Sequence, residues 1–211
     1  MKKVIALSAL LLASGLVSAQ QSGFYVGASI GSATVDIEDG AASALTQLGV
    51  TNVSGNIDDT DFSYKLFGGY KINKNFAVEG GYANLGKFTT NASGTVLGQT
   101  LSASGDVKSY AIFLDAVGIL PANEEFSVFG KVGFAYTNTT ASASASLVGV
   151  SASSSESAGQ WVPKLGLGAQ YYVTKAVALR AEYEYYFNVG DENTTGQSDV
   201  QVFSAGMTFG F

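Results

Sequence analysis

Phe203-Ser204-Ala205-Gly206-Met207-Thr208-Phe209-Gly210-Phe211 is the stretch that decides the fold. It alternates without a fault: Phe203, Ala205, Met207, Phe209 and Phe211 fall on one face of an extended strand, with Ser204, Gly206, Thr208 and Gly210 on the other. The sequence stops there, its carboxylate on an aromatic residue. Soluble proteins seldom close on an amphipathic strand whose apolar face includes the final residue. A membrane barrel does, because its last strand completes the sheet with one face against lipid and the other against a polar lumen. Phe211, Phe209 and Met207 therefore read as an assembly signal, to be met by the barrel-assembly machinery during insertion.

The other end gives the compartment. Lys2 and Lys3 precede a mostly apolar run from Val4 to Val17, and Val17-Ser18-Ala19 has the small residues of a cleavage site. The run is short of the roughly 20 residues a membrane helix needs. We read 1–19 as a secretory signal peptide and 20–211 as one barrel domain. No cysteine is present, which excludes a lipid-modified cysteine anchor and disulfide staples.

Composition agrees. Gly 26 against Pro 2, with 12% aromatic and only 13% charged residues, suits a strand-rich chain better than a helical or disordered one. Loss of Lys2 and Lys3 with the leader takes the formal charge from −6 to −8, a balance that argues against a nucleic-acid partner.

Period-two alternation marks eight strands, near 23–35, 61–72, 76–86, 108–120, 126–137, 160–173, 177–187 and 200–211. Three connections are tight: Asn73-Lys74-Asn75, Pro121 to Glu125, and Thr174-Lys175-Ala176. The other four, 36–60, 87–107, 138–159 and 188–199, are long. The Ala/Ser run from Thr139 to Ser157 reads as a surface loop that partly continues the strands. Short turns alternating with long loops predict an all-β, eight-stranded antiparallel up-and-down transmembrane barrel with its short turns in the periplasm.

A soluble eight-stranded barrel would instead turn its apolar face inward around a greasy ligand. Residue size decides against it: the apolar face carries Phe, Tyr, Leu and Val, while the other carries Gly, Ala and Ser, which suit a crowded lumen. That second face also holds Lys65, Glu79, Asp115, Lys131, Lys164, Arg180, Glu182 and Glu184, four cations and four anions. Together with Gln170 they form the expected interior polar network. A one-residue slip would turn a Lys or Arg to lipid at a cost of about 2–4 kcal/mol near the midplane. Pairing Leu120 with Phe126 would set Asp115 opposite Lys131, and pairing Val173 with Val177 would set Gln170 opposite Arg180. Glu79, Asp115, Lys131, Gln170, Arg180 and Glu182 would then form a lower layer, with Lys65, Lys164 and Glu184 above it.

Several short runs carry a family resemblance. Phe67-Gly68-Gly69-Tyr70-Lys71-Ile72-Asn73, Val78-Glu79-Gly80-Gly81-Tyr82 and Arg180-Ala181-Glu182-Tyr183 resemble the transmembrane barrel of the outer membrane protein A family. So do Phe24-Tyr25-Val26-Gly27-Ala28 and Ser127-Val128-Phe129-Gly130-Lys131-Val132-Gly133. The resemblance implies an interior ion-pair network, to which Glu79, Lys131, Arg180 and Glu182 match, with Gln170 where the family has an acid. Larger members add a peptidoglycan-binding domain; an activity of that kind is not expected of a sequence that ends with its barrel.

Catalysis has little to work with. The chain has no histidine and no cysteine, so His-based triads and thiol nucleophiles are excluded. No catalytic, cofactor or metal site is expected, although Asp58-Asp59-Thr60-Asp61 is a cluster worth testing with calcium. The long loops are acidic and would attract cations, including those that bridge lipopolysaccharide. The expected protein is an integral outer-membrane barrel, exported and surrounded by lipid and lipopolysaccharide, with a structural or cell-surface role. A small low-conductance pore and a loop-mediated adhesin are the alternatives.

Overall fold

The computed structural model describes residues 23–35, 51–96, 99–147, 150–192 and 194–211. The leader and the 36–50 part of the first long loop lie outside them. The described strands are β1 (Gly23–Val35), β2 (Thr51–Asp58), β3 (Thr60–Lys71), β4 (Phe76–Val96), β5 (Gln99–Pro121), β6 (Phe126–Leu147), β7 (Val150–Tyr172), β8 (Val177–Asp191) and β9 (Gly196–Gly210). Both β2 and β3 pair with β4, so they are two pieces of one stave, interrupted at Asp59. All neighbours are antiparallel, and β1 pairs with β3 on one side and β9 on the other, closing eight staves into a barrel. The closing seam runs from Tyr25 opposite Gly210 to Val35 opposite Val200, and the Phe211 N–H donates to the Phe24 carbonyl at 3.0 Å.

The bulky apolar face is outside. Phe203, Met207, Phe209 and Phe211 are all exposed, while Ser204 and Thr208 are buried in the lumen. Aromatic rows mark the two edges of the lipid-facing band. Phe62, Tyr64, Tyr82 and Tyr110 follow one another at 5.9–6.4 Å between ring centroids, and Tyr136 meets Trp161 at 5.4 Å. At the opposite end Phe24 lies 4.8 Å from Tyr70, and Phe209 lies 6.0 Å from Phe211. Such rings suit the two interfaces of a bilayer.

The three tight turns are built alike. Ile72, Ala122 and Val173 donate their N–H to the carbonyls of Phe76, Phe126 and Val177. In each, the first turn residue folds back: Asn73 Oδ1, Asn123 Oδ1 and Thr174 Oγ1 each accept two backbone N–H groups, two and three residues on. This corrects the expected Pro121–Glu125 turn. Pro121 belongs to β5 and pairs with Ser127, so Leu120 faces Val128 and Asp115 faces Gly133, with Lys131 opposite Val117. The anchor is Asn123, whose side chain defines a shorter turn than the proline suggested. The Val173–Val177 turn does set Gln170 opposite Arg180.

The long loops are corrected more deeply. Most of 87–107 and 138–159 is strand, as β4 to β7 run on for 21 to 23 residues each, and part of 36–60 is β2. Likewise, most of 188–199 belongs to β8 and β9. Small Ala and Ser side chains tolerate an extended chain on both faces, and hydroxyl pairs tie the strands: Ser104 with Ser144 at 2.8 Å, Ser142 with Ser155 at 3.1 Å and Thr140 with Ser157 at 2.9 Å. Above the membrane the barrel therefore continues as an open sheet, β2-β4-β5-β6-β7.

Pro163, near the start of the strand expected over 160–173, lies well inside β7 opposite Phe134. Its position has a consequence for the ladder. The β7–β8 pairing begins at Lys164 opposite Tyr186 and does not extend above it. In β7 the odd-numbered residues aim their N–H at β8, as Val173 does toward Val177, and Pro163 has none to give. Across from it β8 departs from the ladder through a bulge between Tyr186 and Val189, with Asn188 at φ +52°.

Inside the barrel, rings lie against bare backbone. The Phe67 ring fills the space a Cβ at Gly27 would occupy, and the Phe129 ring does the same at Gly168. Gly27→Val should therefore cost about 1–3 kcal/mol through overpacking, read as a lower urea midpoint for unfolding in detergent micelles; an unchanged midpoint would refute the assignment.

Candidate functional site

Alternation on β3 to β8 sends eight charged side chains to one level of the lumen, and all eight are buried. Lys131, on β6, is the hub: its Nζ lies 2.6 Å from Glu79 Oε2, 2.7 Å from Glu182 Oε2 and 3.5 Å from Glu184 Oε1. Lys65 bridges Glu182 and Glu184 at 2.7 and 2.8 Å. Arg180 binds Glu79 through Nη1 and Glu182 through Nε, each at 2.7 Å. Lys164 closes the far side, 2.6 Å from Asp115 and 2.8 Å from Glu184.

The residues meet as one continuous network, and Asp115 sits with Lys164 instead of Lys131. This follows from the β5–β6 register, which carries Asp115 away from Lys131. Gln170 stands apart: its amide donates to the Tyr172 hydroxyl. It lines a cavity of about 30 Å³ below the network, with Tyr25, Lys71, Tyr172 and Arg180, room for no more than a few waters.

Sequence reasoning missed the aromatic half of this site. Tyr25 donates to Glu79 at 2.7 Å. Lys164 Nζ is 4.0 Å from the Phe113 ring centroid, and the Arg180 guanidinium carbon is 4.0 Å from that of Phe129. Phe67 faces Lys65, Lys131 and Arg180 at 5.1 to 5.6 Å. The signal was parity: Phe67 is two residues from Lys65, Phe113 two from Asp115, and Phe129 two from Lys131. Cations held between carboxylates and ring faces gain cation–π attraction beside their ion pairs.

Outside the membrane the ion pairing is local. Lys87 Nζ lies 2.9 Å from Asp106 Oδ1, and the Thr89 hydroxyl donates to the same carboxylate at 3.1 Å. The hydrogen bond from Lys87, with that from Thr89, holds the Asp106 carboxyl below its ordinary range. In the acidic cluster, Asp61 Oδ2 accepts the Lys87 N–H at 2.6 Å and Asp59 Oδ1 accepts the Thr60 hydroxyl. Among the described residues no three carboxylate, histidine or cysteine side chains gather as metal ligands.

With this geometry the relatives are informative. The family model of the OmpA-like transmembrane domain matches residues 19–211. The chain belongs to that family. Outer membrane protein A of Klebsiella pneumoniae is 25% identical over 164 residues, covering 77% of this chain and 45% of its own. Its counterpart in Salmonella typhi is also 25% identical, over 77% and 44%. The chain thus spans less than half the length of these curated relatives. Two solved barrels share the fold: Neisserial surface protein A, at TM-score 0.51 and 19% identity over 91% of this chain and all of that one, and OprG of Pseudomonas aeruginosa, at 0.52 and 17% over 90% and 97%. This OmpA-like chain is an integral β-barrel of the outer membrane.

Removing one member of a buried ion network strands its partners. Lys164→Met should cost about 3–5 kcal/mol in urea unfolding from micelles. Pairing it with Asp115→Leu should cost less than the two single losses together, with a coupling of about 0.5–3 kcal/mol; strict additivity would mean the bridge is not formed. Asp106 gives a pH test. Its depressed ionisation keeps the Lys87 bridge intact through the ordinary carboxylate range, and the contact is lost as pH falls through the lowered midpoint. Lys87→Ala should raise that midpoint, followed by carboxyl NMR.

Proposed function

We propose that this protein is a closed, non-catalytic barrel with a structural and cell-surface role in the Gram-negative envelope. The observation that carries the reading is the stopper in its lumen, eight interlocked charged side chains each 0–5% exposed. An ion in transit would have to separate pairs whose loss costs about 3–5 kcal/mol. The four cations and four anions leave no net charge to select a passing ion. This supports a structural barrel over a small diffusion pore, which needs a water-filled lumen. The missing histidine and cysteine favour a non-enzymatic role on the same terms.

In this reading residues 1–19 are removed on export and 20–211 form the barrel. The assembly machinery takes hold of the strand ending in Met207, Phe209 and Phe211, and lipopolysaccharide packs against the upper aromatic row. A surface-contact role is the second reading, favoured by the open sheet that β4 to β7 raise above the bilayer. Planar bilayers test the first reading. The reconstituted protein should give no stable conductance steps; steady channels that change when Lys131 or Arg180 is neutralised would establish the pore instead.

A further inference from the structure

Above Pro163, the side of β7 that faces β8 has no strand beside it among the described residues. The even-numbered residues of β7 spend their N–H groups on β6, as Tyr172 does on the Glu125 carbonyl at 2.7 Å. The β6–β7 register is unbroken from Phe126 opposite Tyr171 to Leu147 opposite Val150, so the same parity holds to the top. The N–H groups of Ser151, Ser153, Ser155 and Ser157 therefore point out from the free edge. All seven residues from Ser151 to Ser157 are exposed.

Proteins ordinarily blunt such an edge with lysine, proline, a bulge or brevity. From Ser151 to Val162 this edge has no lysine, no proline and no bulge, and Glu156 is its one charge. We propose that Ser151–Ser157 is a self-pairing edge, which joins the protein to a second copy on a facing membrane by antiparallel strand addition. The inference deepens the surface-contact reading above and rests on it.

Direction, composition and charge select the occupant. Two copies in one membrane both run β7 downward and meet in parallel. Copies on opposed membranes run it in opposite directions, and a two-fold axis through the edge makes an antiparallel, isologous contact. This chain already makes that kind of pairing within itself, Ala/Ser strand against Ala/Ser strand, with Ser142 against Ser155 and Thr140 against Ser157. Across the two-fold the serine face of one sheet continues as the serine face of the other. A register centred on Ser154 sets each Glu156 opposite Ala152 of the second copy, so the like charges do not meet. Ser153 of one copy then faces Ser155 of the other. Main-chain hydrogen bonds supply the attraction, and many copies on each membrane multiply it.

The test uses phosphatidylcholine vesicles carrying the full barrel, in about 0.15 M salt so that the acidic surfaces are screened beyond about 8 Å. Vesicle size is followed by light scattering. Wild-type vesicles should cluster and grow severalfold in apparent diameter. The Ser153→Pro/Ser155→Pro variant removes two edge donors and leaves the β6–β7 ladder its own, so it should fold, as judged by the gel shift between unheated and boiled samples, and stay dispersed. Vesicles bearing Ser153→Lys/Ser155→Lys and vesicles bearing Ser153→Glu/Ser155→Glu should each stay dispersed alone and cluster when mixed. That selective recovery identifies a second copy as the partner. Dispersed wild-type vesicles would overturn the proposal, as they would if residues 36–50 of the same chain occupied the edge; so would clustering indifferent to the proline variant. Neither result bears on the conductance measurement, so the closed-lumen reading stands or falls separately.

Discussion

Inside a bilayer no water is available to a backbone N–H or carbonyl, and each one left bare costs several kcal/mol. That constraint organises this molecule. It requires the first strand to find the last, which β1 and β9 do from Tyr25–Gly210 to Val35–Val200. Above the lipid the constraint lapses. Water can satisfy an edge there, so the sheet opens, and the point of opening is set by the one residue of β7 without an N–H to offer β8.

Closure also creates the interior problem that the charges answer. An eight-stranded barrel has room for side chains and little else. Polar residues must fill it, since the apolar face is committed to lipid. Lys131 among three carboxylates, with rings from Phe67 and Phe129 alongside, shows how the solution works. Each charge is desolvated, and seven of the eight are returned two or three close ionic partners, Asp115 having Lys164. A buried network of this kind is weak evidence for added stability. What it does supply is registration, because all the pairs except Arg180–Glu182 join different staves and a slipped strand would break several contacts together.

Much of this was legible in the sequence for a simple reason: a strand has period two, and a membrane barrel assigns the two faces to very different surroundings. The closing strand from Phe203, the eight staves and the inward side of Lys65, Glu79 and Arg180 all follow from parity. Height within the barrel does not. It depends on turn length, and Asn123 capping a shorter turn than Pro121 implied was enough to move Asp115 from Lys131 to Lys164. The long hairpins were hidden for a different reason. Alternating Ala and Ser has little amphipathic contrast, so from Thr139 to Leu147 and from Val150 to Ser157 the strand signal fades although β6 and β7 themselves run through these residues.

The unbroken β6–β7 ladder has one more implication. Asn138 to Leu147 is a run of ten residues, and at roughly 3.3 Å per residue they form an arm about 30 Å long. Because it is the same sheet as the wall of the barrel, it is held as a beam is held, by continuity with its base. Whatever touches its far end pulls on Tyr136, Phe134 and the lumen charges below them. The protein thus has a mechanical lever, with one arm seated in lipid and the other reaching clear of the headgroups.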